Sequence, residues 1–160
     1  MKNIHVLTTE NESRLRYNGF NKVYELCEFP RYHTDIKSTH HIYITSDEEI
    51  KEDYVIAYGV VIKVMMFDKE TLYFVNGTKA KREDCKKIIL TTDQDLIKDG
   101  VQAIDDKFPE WFVKNPSCES VEIERDSREV GGHNGGVAIE YGLYEIIIPK
   151  EEVKQEIENL

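Results

Sequence analysis

Hydrophobic and polar residues alternate in short runs along much of the chain, and turn signals interrupt these runs. Ile4 and Val6 alternate with polar neighbours near the start, and Ile42 and Ile44 do the same in HHIYIT, residues 40–45. A period of two residues places alternate side chains on opposite faces of a strand. The pattern therefore predicts a series of half-buried β-strands.

The dipeptide Asn18-Gly19 separates two of these extended segments near the start of the chain. It follows a short piece that begins at residue 13 and precedes residues 20–29, which are rich in aromatic and apolar side chains. Asn-Gly between such runs is a strong turn signal, so an N-terminal hairpin is expected. Residues 30–39 have no clear period and mix turn formers with charged residues, which predicts a loop.

Residues 54–67 are almost continuously apolar and rich in Val and Ile, which favours a strand. Gly59 near the middle of this run predicts a bulge or bend. Further along, Asn76-Gly77 predicts a type I′ turn between strands.

Residues 86–91 complete this run of short strands, which starts at residue 42 and has short connections. Such spacing predicts an α+β fold built on a small antiparallel β-barrel or a strongly twisted meander, and an SH3-like barrel is one form that fits.

Two short helices are predicted after residue 91. Thr92 or Asp93 is placed to cap a helix that runs through Lys98, and Gly100 is placed to end it in the left-handed conformation. Asp105 is placed to cap a second helix.

The second helix is predicted to extend to about Asn115. Phe108, Trp111 and Phe112 lie at i, i+3 and i+4, on one face of it, and Pro109 falls in the first turn, where the missing N–H does least harm. An aromatic face of this kind packs against a core or, in the other interpretation, anchors a partner.

The remaining sequence predicts a C-terminal β-hairpin and a tail. Residues 121–124 alternate, residues 137–148 form a longer apolar run, and a glycine-rich stretch connects them. Residues 1–149 are thus expected to form a single α+β domain. Residues 150–160 are predicted to be a charged amphipathic tail.

Composition narrows the class of partner. The chain is 40% hydrophobic and 32% charged, with a formal net charge of −10, which is typical of a globular protein and opposes binding to duplex nucleic acid. No run is long and apolar enough to span a bilayer, and residues 1–9 lack the apolar core of a signal peptide, so we expect no membrane association and a cytoplasmic location.

A cluster of ring and cationic side chains is the first candidate ligand site. Arg31, Tyr32, His33 and His41, with His40, combine charge with flat rings, which suits recognition of a phosphate or a nucleobase. Chance placement on a surface loop is the alternative interpretation.

Metal binding in this region would require Cys27 as well as the histidines. The spacing of Cys27, His33, His40 and His41 is not a standard ligand pattern, and the two adjacent histidines point to opposite faces of a strand. We therefore expect no metal site and no cofactor.

The second candidate is the loop at residues 131–136, GGHNGG, which contains His133 and Asn134. Its four glycines let a backbone approach a ligand closely and expose N–H groups to an anion, although the loop matches neither the dinucleotide fingerprint nor the Walker pattern. A hairpin tip explains the same glycines. No nucleophile motif accompanies either candidate, so no catalytic residue is assigned.

Three segments resemble a recurrent pattern in uncharacterised bacteriophage and prophage proteins. These segments are YITSDEEIKE (residues 43–52), KKIILTTDQDLIKDGVQAID (86–105) and EWFVKNPSCESVEIE (110–124). The opening MKNIHVL and the closing YEIIIPKEE are similar to the same group, and Pro109 departs from its Leu. The resemblance implies a biological setting and carries over no catalytic residues.

The expected function is that of a noncatalytic phage accessory protein that acts by binding in the host bacterial cell. Its partner would be a small nucleotide-like defence signal that it sequesters, or a host defence protein that it blocks. A protein-interaction or structural module, including a homo-oligomer, is one alternative. A nucleotide-processing enzyme with His133 or His40 as acid or base is another.

Overall fold

The computed structural model describes residues 2–33, 37–130 and 139–149. The chain divides into two compact units, residues 1–120 and residues 121–160. The strands of the first unit are β1 (Ile4–Thr8), β2 (Ser13–Asn18), β3 (Val23–Arg31), β4 (Lys37–Ser46), β5 (Tyr54–Ala57), β6 (Val60–Phe67), β7 (Thr71–Phe74), β8 (Lys79–Lys81), β9 (Cys85–Thr91) and β10 (Gln102–Ala103). Its helices are α1 (Gln94–Lys98) and α2 (Lys107–Lys114), with one turn of 3-10 helix at Arg82–Asp84.

The strands of the first unit form one ten-stranded sheet in the order β3-β2-β4-β9-β5-β6-β7-β8, with β1 also paired to β4 and β10 to β9. All of these pairs are antiparallel except the short pair of β10 with β9. Over the described ranges the two ends of this order, β3 and β8, do not pair, so the sheet is open. Of the two predicted forms, a barrel or a twisted meander, the barrel is therefore wrong, and the SH3-like form is not confirmed. The α+β class with a mostly antiparallel sheet is confirmed.

The N-terminal hairpin is confirmed, since β2 and β3 pair antiparallel. The Asn18 side chain accepts hydrogen bonds from the backbone N–H groups of Phe20 and Asn21, at 2.9 and 3.2 Å, and Lys22 completes the turn with φ +59°. Asn favours such turns because its side chain mimics a backbone acceptor.

The predicted loop at residues 30–39 is wrong at both ends, because β3 continues through Arg31 and β4 begins at Lys37. Arg31 pairs with Ser13, and Lys37 pairs with Asn18. The neighbouring β2 strand supplies backbone partners to both segments, so they are extended in spite of their irregular pattern.

The apolar run at residues 54–67 is two strands rather than one bent strand. β5 and β6 form a hairpin in which Ala57 pairs with Val60. Tyr58 and Gly59 have φ of +51° and +75°, which places both central residues of a two-residue turn in the left-handed region, as a type I′ turn requires. The predicted bulge or bend at Gly59 is therefore corrected to a tight turn.

The turn after β7 differs from the type I′ prediction, because Gly77 has φ +87° whereas Asn76 is not in the left-handed region. The Asn76 side chain instead accepts the backbone N–H of Thr78 at 3.0 Å. This local Asx turn offers the backbone an alternative to the type I′ geometry.

Both predicted helices are confirmed. The Asp93 carboxylate accepts the Asp95 N–H at 3.0 Å at the start of α1, and Gly100 follows its end with φ +103°. The Asp105 carboxylate accepts the Lys107 N–H at 2.8 Å before α2. Phe108 and Phe112 of α2 are buried, so the aromatic face packs inward.

The core of the first unit lies on both faces of the sheet because alternate residues of each strand point opposite ways. Val55 belongs to one apolar cluster, with Leu72 and Phe74. The next residue, Ile56, belongs to the other, with Ile88 and Leu96 of α1.

The second unit contains β11 (Glu122–Val130) and β12 (Ile139–Ile147), which pair antiparallel in unbroken register. This confirms the predicted C-terminal hairpin. The glycine-rich loop at residues 131–136 and the tail at residues 150–160 lie outside the described residues. Within the described ranges, no helix is long and apolar enough to cross a membrane.

Candidate functional site: a cavity at His41

A cavity of about 150 Å³ lies in the first unit and is lined by residues of the sheet, of α1 and of the first turn of α2. Its wall is built from the start of β2, the end of β3, the middle of β4, the end of β9, and the segment from α1 to the first turn of α2. Leu15, Leu26, Ile97 and Ile104 give this wall a largely apolar surface, and His41 is the titratable ring that lines it.

His41 lies in the middle of β4, opposite Leu7 of β1, and only 1% of it is exposed. The adjacent His40 faces the other side of the sheet, as strand geometry requires. There the His40 ring packs edge-on against Tyr24, with ring centroids 5.5 Å apart. Only the second histidine of the pair is thus a candidate for contact with a ligand in the cavity.

Thr92, directly after β9, holds the His41 ring. Its Oγ1 lies 3.0 Å from His41 Nδ1 and accepts the backbone N–H of Ile42, also at 3.0 Å. The backbone N–H of Thr92 donates in turn to the Ile42 carbonyl at 3.1 Å. One threonine therefore joins two strands and sets the orientation of the imidazole.

The other ring nitrogen, His41 Nε2, is buried and has no hydrogen-bond partner anywhere in the described part of the chain. Buried polar atoms in proteins are almost always partnered, since leaving one unsatisfied costs roughly 1–3 kcal/mol. The Glu12 main chain favours the protonated imidazole. Because Nε2 is closed to solvent, it is not a contact that the cavity offers to a ligand.

Burial lowers the pKa of His41 below its usual 6.5, since an apolar surrounding disfavours the charged ring. Asp93, the Glu12 carbonyl and Asp95 act in the opposite direction, and His40 adds to the lowering. The ring is therefore neutral near pH 7, with one N–H and one lone pair.

Arg14 brings the positive charge nearest to the cavity, and that charge is already engaged. Its Nε donates to the Cys27 carbonyl at 2.8 Å, and one terminal nitrogen lies 3.5 Å from an Asp106 carboxylate oxygen. Arg14 is the one arginine that lines the cavity, and its guanidinium already interacts with the Cys27 carbonyl and the Asp106 carboxylate. Little of its hydrogen-bonding capacity is therefore left for a bound anion.

Those described residues that were predicted to act with His41 are not brought to the cavity. Arg31 pairs with Ser13 beside the wall without lining it, and Tyr32, 54% exposed, does not line it either. His33 instead approaches Cys27, with 3.8 Å between Nε2 and Sγ. His133 and Asn134 lie outside the described residues.

Within the described ranges, no group of three or more His, Cys, Asp and Glu side chains is placed to hold a metal ion. Cys27 and His33 are close, but His40 packs among the rings of Tyr17 and Tyr24. The four residues considered as a metal set from the sequence therefore do not converge.

Sequence reasoning missed Thr92 and Glu12 as parts of the site. From the sequence, Thr92 was predicted only as an alternative cap for α1. Its contact with His41 joins residues that are 51 positions apart in the chain, so no local pattern indicates it. Glu12 contributes a main-chain carbonyl, for which no side-chain pattern exists.

No protein-family model, no curated protein and no solved structure matches this chain.

Proposed function

We propose that this chain is a noncatalytic binding protein that takes a small ligand into the His41 cavity. The observation that carries the proposal is a cavity of about 150 Å³ with a largely apolar wall that also contains a few polar groups, among them Ser13, Thr91 and Thr92. Ligand sites in proteins are typically concave and mostly apolar, with a small number of polar groups that orient the ligand.

The polar groups of the cavity favour binding over turnover. The Ser13 hydroxyl accepts the Leu15 N–H at 3.1 Å, and the Thr91 hydroxyl donates to the Ile42 carbonyl at 2.9 Å. Among the described residues, neither hydroxyl forms a hydrogen bond with a His, Asp or Glu side chain, whereas a nucleophile requires a base within hydrogen-bond reach.

The biological setting comes from the resemblance to phage and prophage proteins. In that setting the ligand is a nucleotide-like defence signal, and the protein acts in the host cytoplasm by sequestering it. Because the cavity holds about 150 Å³, only one ring of such a ligand enters, and the remainder stays in solvent.

The test is native mass spectrometry of the protein purified from infected bacterial cells, compared with the same sample after denaturation. We expect a small released mass from the wild type and from His5→Phe, and none from His41→Phe. His5→Phe is the matched control because it makes the same change in β1, at a residue that does not line the cavity. Equal release from both variants, or no released mass from any form, would overturn the proposal.

A second candidate function, blocking a host defence protein, is favoured by an exposed apolar surface on the β5–β6 hairpin. Its members are Tyr58, Val60, Met65, Met66 and Phe67, which are 39–72% exposed. Exposed apolar residues grouped in this way are typical of protein-binding surfaces. Loss of a co-purifying host protein in Met66→Glu, with the small ligand retained, would assign function to this surface instead.

A further inference from the structure

We infer that the outer edge of β8 docks an extended segment of a partner protein that carries acidic side chains at alternate positions. The inference rests on the second candidate function, since it names the kind of protein that the exposed surface at Met66 would meet. It follows from the backbone of β8, from the side chains of Lys79 and Lys81, and from the sheet face that these lysines border.

The first step is the open backbone edge of β8, which is the last strand in the sheet order and pairs only with β7 over the described ranges. The Thr78 carbonyl accepts an N–H from β7 at 2.8 Å, and the Arg82 N–H donates to the carbonyl of the residue before β7, also at 2.8 Å. Backbone groups point alternately to the two sides of a strand, so Lys79 and Lys81 direct theirs away from β7. The Cys85 thiol donates to the Lys81 carbonyl, which leaves two N–H groups and the Lys79 carbonyl for an added strand.

The second step is the direction of the β8 side chains. Ala80 is buried in the apolar cluster that contains Leu72, so the Lys79 and Lys81 side chains lie together on the opposite face, where both are exposed. Neither lysine forms an ion pair with a described residue. Residues two apart in a strand are about 6.6 Å apart along it. An added strand has the same spacing, so acidic residues at alternate positions would meet both lysines.

The third step is the sheet face beside the two lysines. Tyr73 lies opposite Lys79, and Met66 lies opposite Tyr73, so these three side chains share one face. Met66 is 60% exposed, and β6, β7 and β8 contain no acidic residue. The face therefore combines apolar surface with positive charge, and a partner that pairs with the lysines can also pack against Met66.

The fourth step is the class of partner. Residues 58–84 contain five basic and four acidic residues, in a chain that contains 21 basic and 31 acidic ones. The four carboxylates lie in the turn before β7 and in the 3-10 turn after β8, close to the lysines in sequence. A membrane surface or a phosphate backbone carries negative charge throughout and would also meet these carboxylates. A protein segment can place its charges one by one, and so it fits this mixed pattern better.

Two further occupants fit less well for reasons of geometry. A second copy that paired through β8 would bring Lys79 opposite Lys81, and like charges directly opposite are destabilising. Single-stranded nucleic acid requires open aromatic faces on which bases stack, whereas the Arg82 guanidinium lies over the Phe67 ring, 5.6 Å from its centroid.

The first experiment titrates the full chain with a short peptide in which Glu alternates with Val, and follows the backbone ¹H–¹⁵N NMR signals and amide hydrogen exchange. We expect Lys79 and Lys81 to shift and to exchange more slowly, since their N–H groups become hydrogen-bonded, whereas Ala80 is protected by β7 from the start. A peptide of the same composition with contiguous glutamates should bind about fivefold more weakly, roughly the contribution of two exposed ion pairs. Equal binding of the two peptides, or no change in β8, would overturn the inference.

The second experiment separates the backbone of Lys81 from its side chain. Lys81 has φ −70°, which proline also adopts, so Lys81→Pro removes the outward N–H without strain. Lys81→Ala removes only the charge. We expect Lys81→Pro to bind the Glu–Val peptide about fivefold more weakly than Lys81→Ala, the loss of one main-chain hydrogen bond, with the two urea midpoints alike. Equal affinities of the two variants would contradict the addition of a strand.

The third experiment reverses the charge of the edge in a double variant, Lys79→Glu with Lys81→Glu. This variant should lose the Glu–Val peptide and bind a peptide in which Lys alternates with Val. Wild-type protein is also offered a thymidine oligonucleotide and phosphatidylserine vesicles, and its mass in solution is measured. Tighter binding of either probe than of the peptide, or a dimer that the double variant abolishes, would assign the edge to another occupant and overturn the inference.

Failure of the inference is distinguishable from failure of the function on which it rests. If a host protein co-purifies with the wild type and with the double variant but not with Met66→Glu, the docking edge is wrong and the second candidate function stands. If the host protein is lost from the double variant as well, while the small ligand of the cavity is retained, both are supported.

Discussion

At the scale of single residues, the two adjacent histidines of β4 show how one step along a strand changes the chemistry of a side chain. His40 packs among tyrosine rings, and its Nδ1 lies 3.1 Å from the Ser38 carbonyl. His41 points to the other face, where Thr92 holds one ring nitrogen and the other has no hydrogen-bond partner among the described residues. Alternation predicts that they differ, but it does not show which of them faces a cavity.

Backbone conformation at Gly59 gives a prediction at this scale. Gly59 has φ +75° in the β5–β6 turn, and a Cβ built there meets no atom within 4 Å, so strain rather than a clash decides the outcome. We expect Gly59→Ala to lower the free energy of unfolding by about 1 kcal/mol, the usual cost of the left-handed region for a residue with a Cβ. Urea denaturation measures this directly.

The control for that change is Val60→Ala, the next residue, which is 58% exposed and not in the left-handed region. The urea midpoint of the Val60→Ala variant should stay close to that of the wild type. Equal midpoints for Gly59→Ala and the wild type would show that the turn does not have this conformation in solution.

At the scale of elements, α1 is attached to the sheet through Asp93. This buried residue caps the helix by accepting the Asp95 N–H, and its other carboxylate oxygen accepts the Tyr43 hydroxyl of β4 at 2.6 Å. Burial and this hydrogen bond raise the pKa of Tyr43, so the phenol stays protonated and remains a donor. One side chain therefore both starts a helix and fixes it to a strand.

We expect Asp93→Ala to destabilise the protein by about 3 kcal/mol, because it removes a cap and leaves the buried Tyr43 hydroxyl without its acceptor. The matched variant is Asp105→Ala, which removes the carboxylate before α2 that accepts the Lys107 N–H. That exposed residue has the capping role alone, so a loss of about 1 kcal/mol is expected. Thermal and urea unfolding compare the two, and equal losses would contradict the double role of Asp93.

At the scale of the whole molecule, buried histidines make stability depend on pH. Burial lowers the pKa of His5, His40 and His41 below 6.5 in the folded state. Lys2 and Lys86 add to the lowering at His5, the Ser38 carbonyl opposes it at His40, and Asp93 and Asp95 oppose it at His41. In each case the unfolded chain binds the proton more tightly than the folded one.

Stability from these histidines is therefore fully present above about pH 6.5 and is lost as pH falls from there through their folded pKa values. Asp68 and Asp99 also have lowered pKa values, but their contribution declines only below about pH 3.8. We expect the urea midpoint to fall between pH 7.5 and pH 5, and His41→Gln to reduce that slope. A midpoint that is constant over this interval would contradict the burial of these rings.

Local features of the fold were predictable wherever neighbouring residues decide them. The start and end of α1 follow from Asp93 and Gly100, and the N-terminal turn follows from Asn18, because each acts within a few residues through its own side chain or backbone freedom. The split of residues 54–67 was missed, since Gly59 was interpreted as a bulge within one strand and Tyr58 is not a usual residue at positive φ.

The sequence by itself determined the α+β class, the N-terminal hairpin, the C-terminal hairpin and both helices, since periodicity and capping are local. Only the tertiary structure decided that β9 lies between β4 and β5, that the sheet stays open, and that a cavity forms at His41. The physical reason is distance along the chain. Thr92 meets His41 across 51 positions, and such a pairing is selected by the packing of the whole unit rather than by any pattern near either residue.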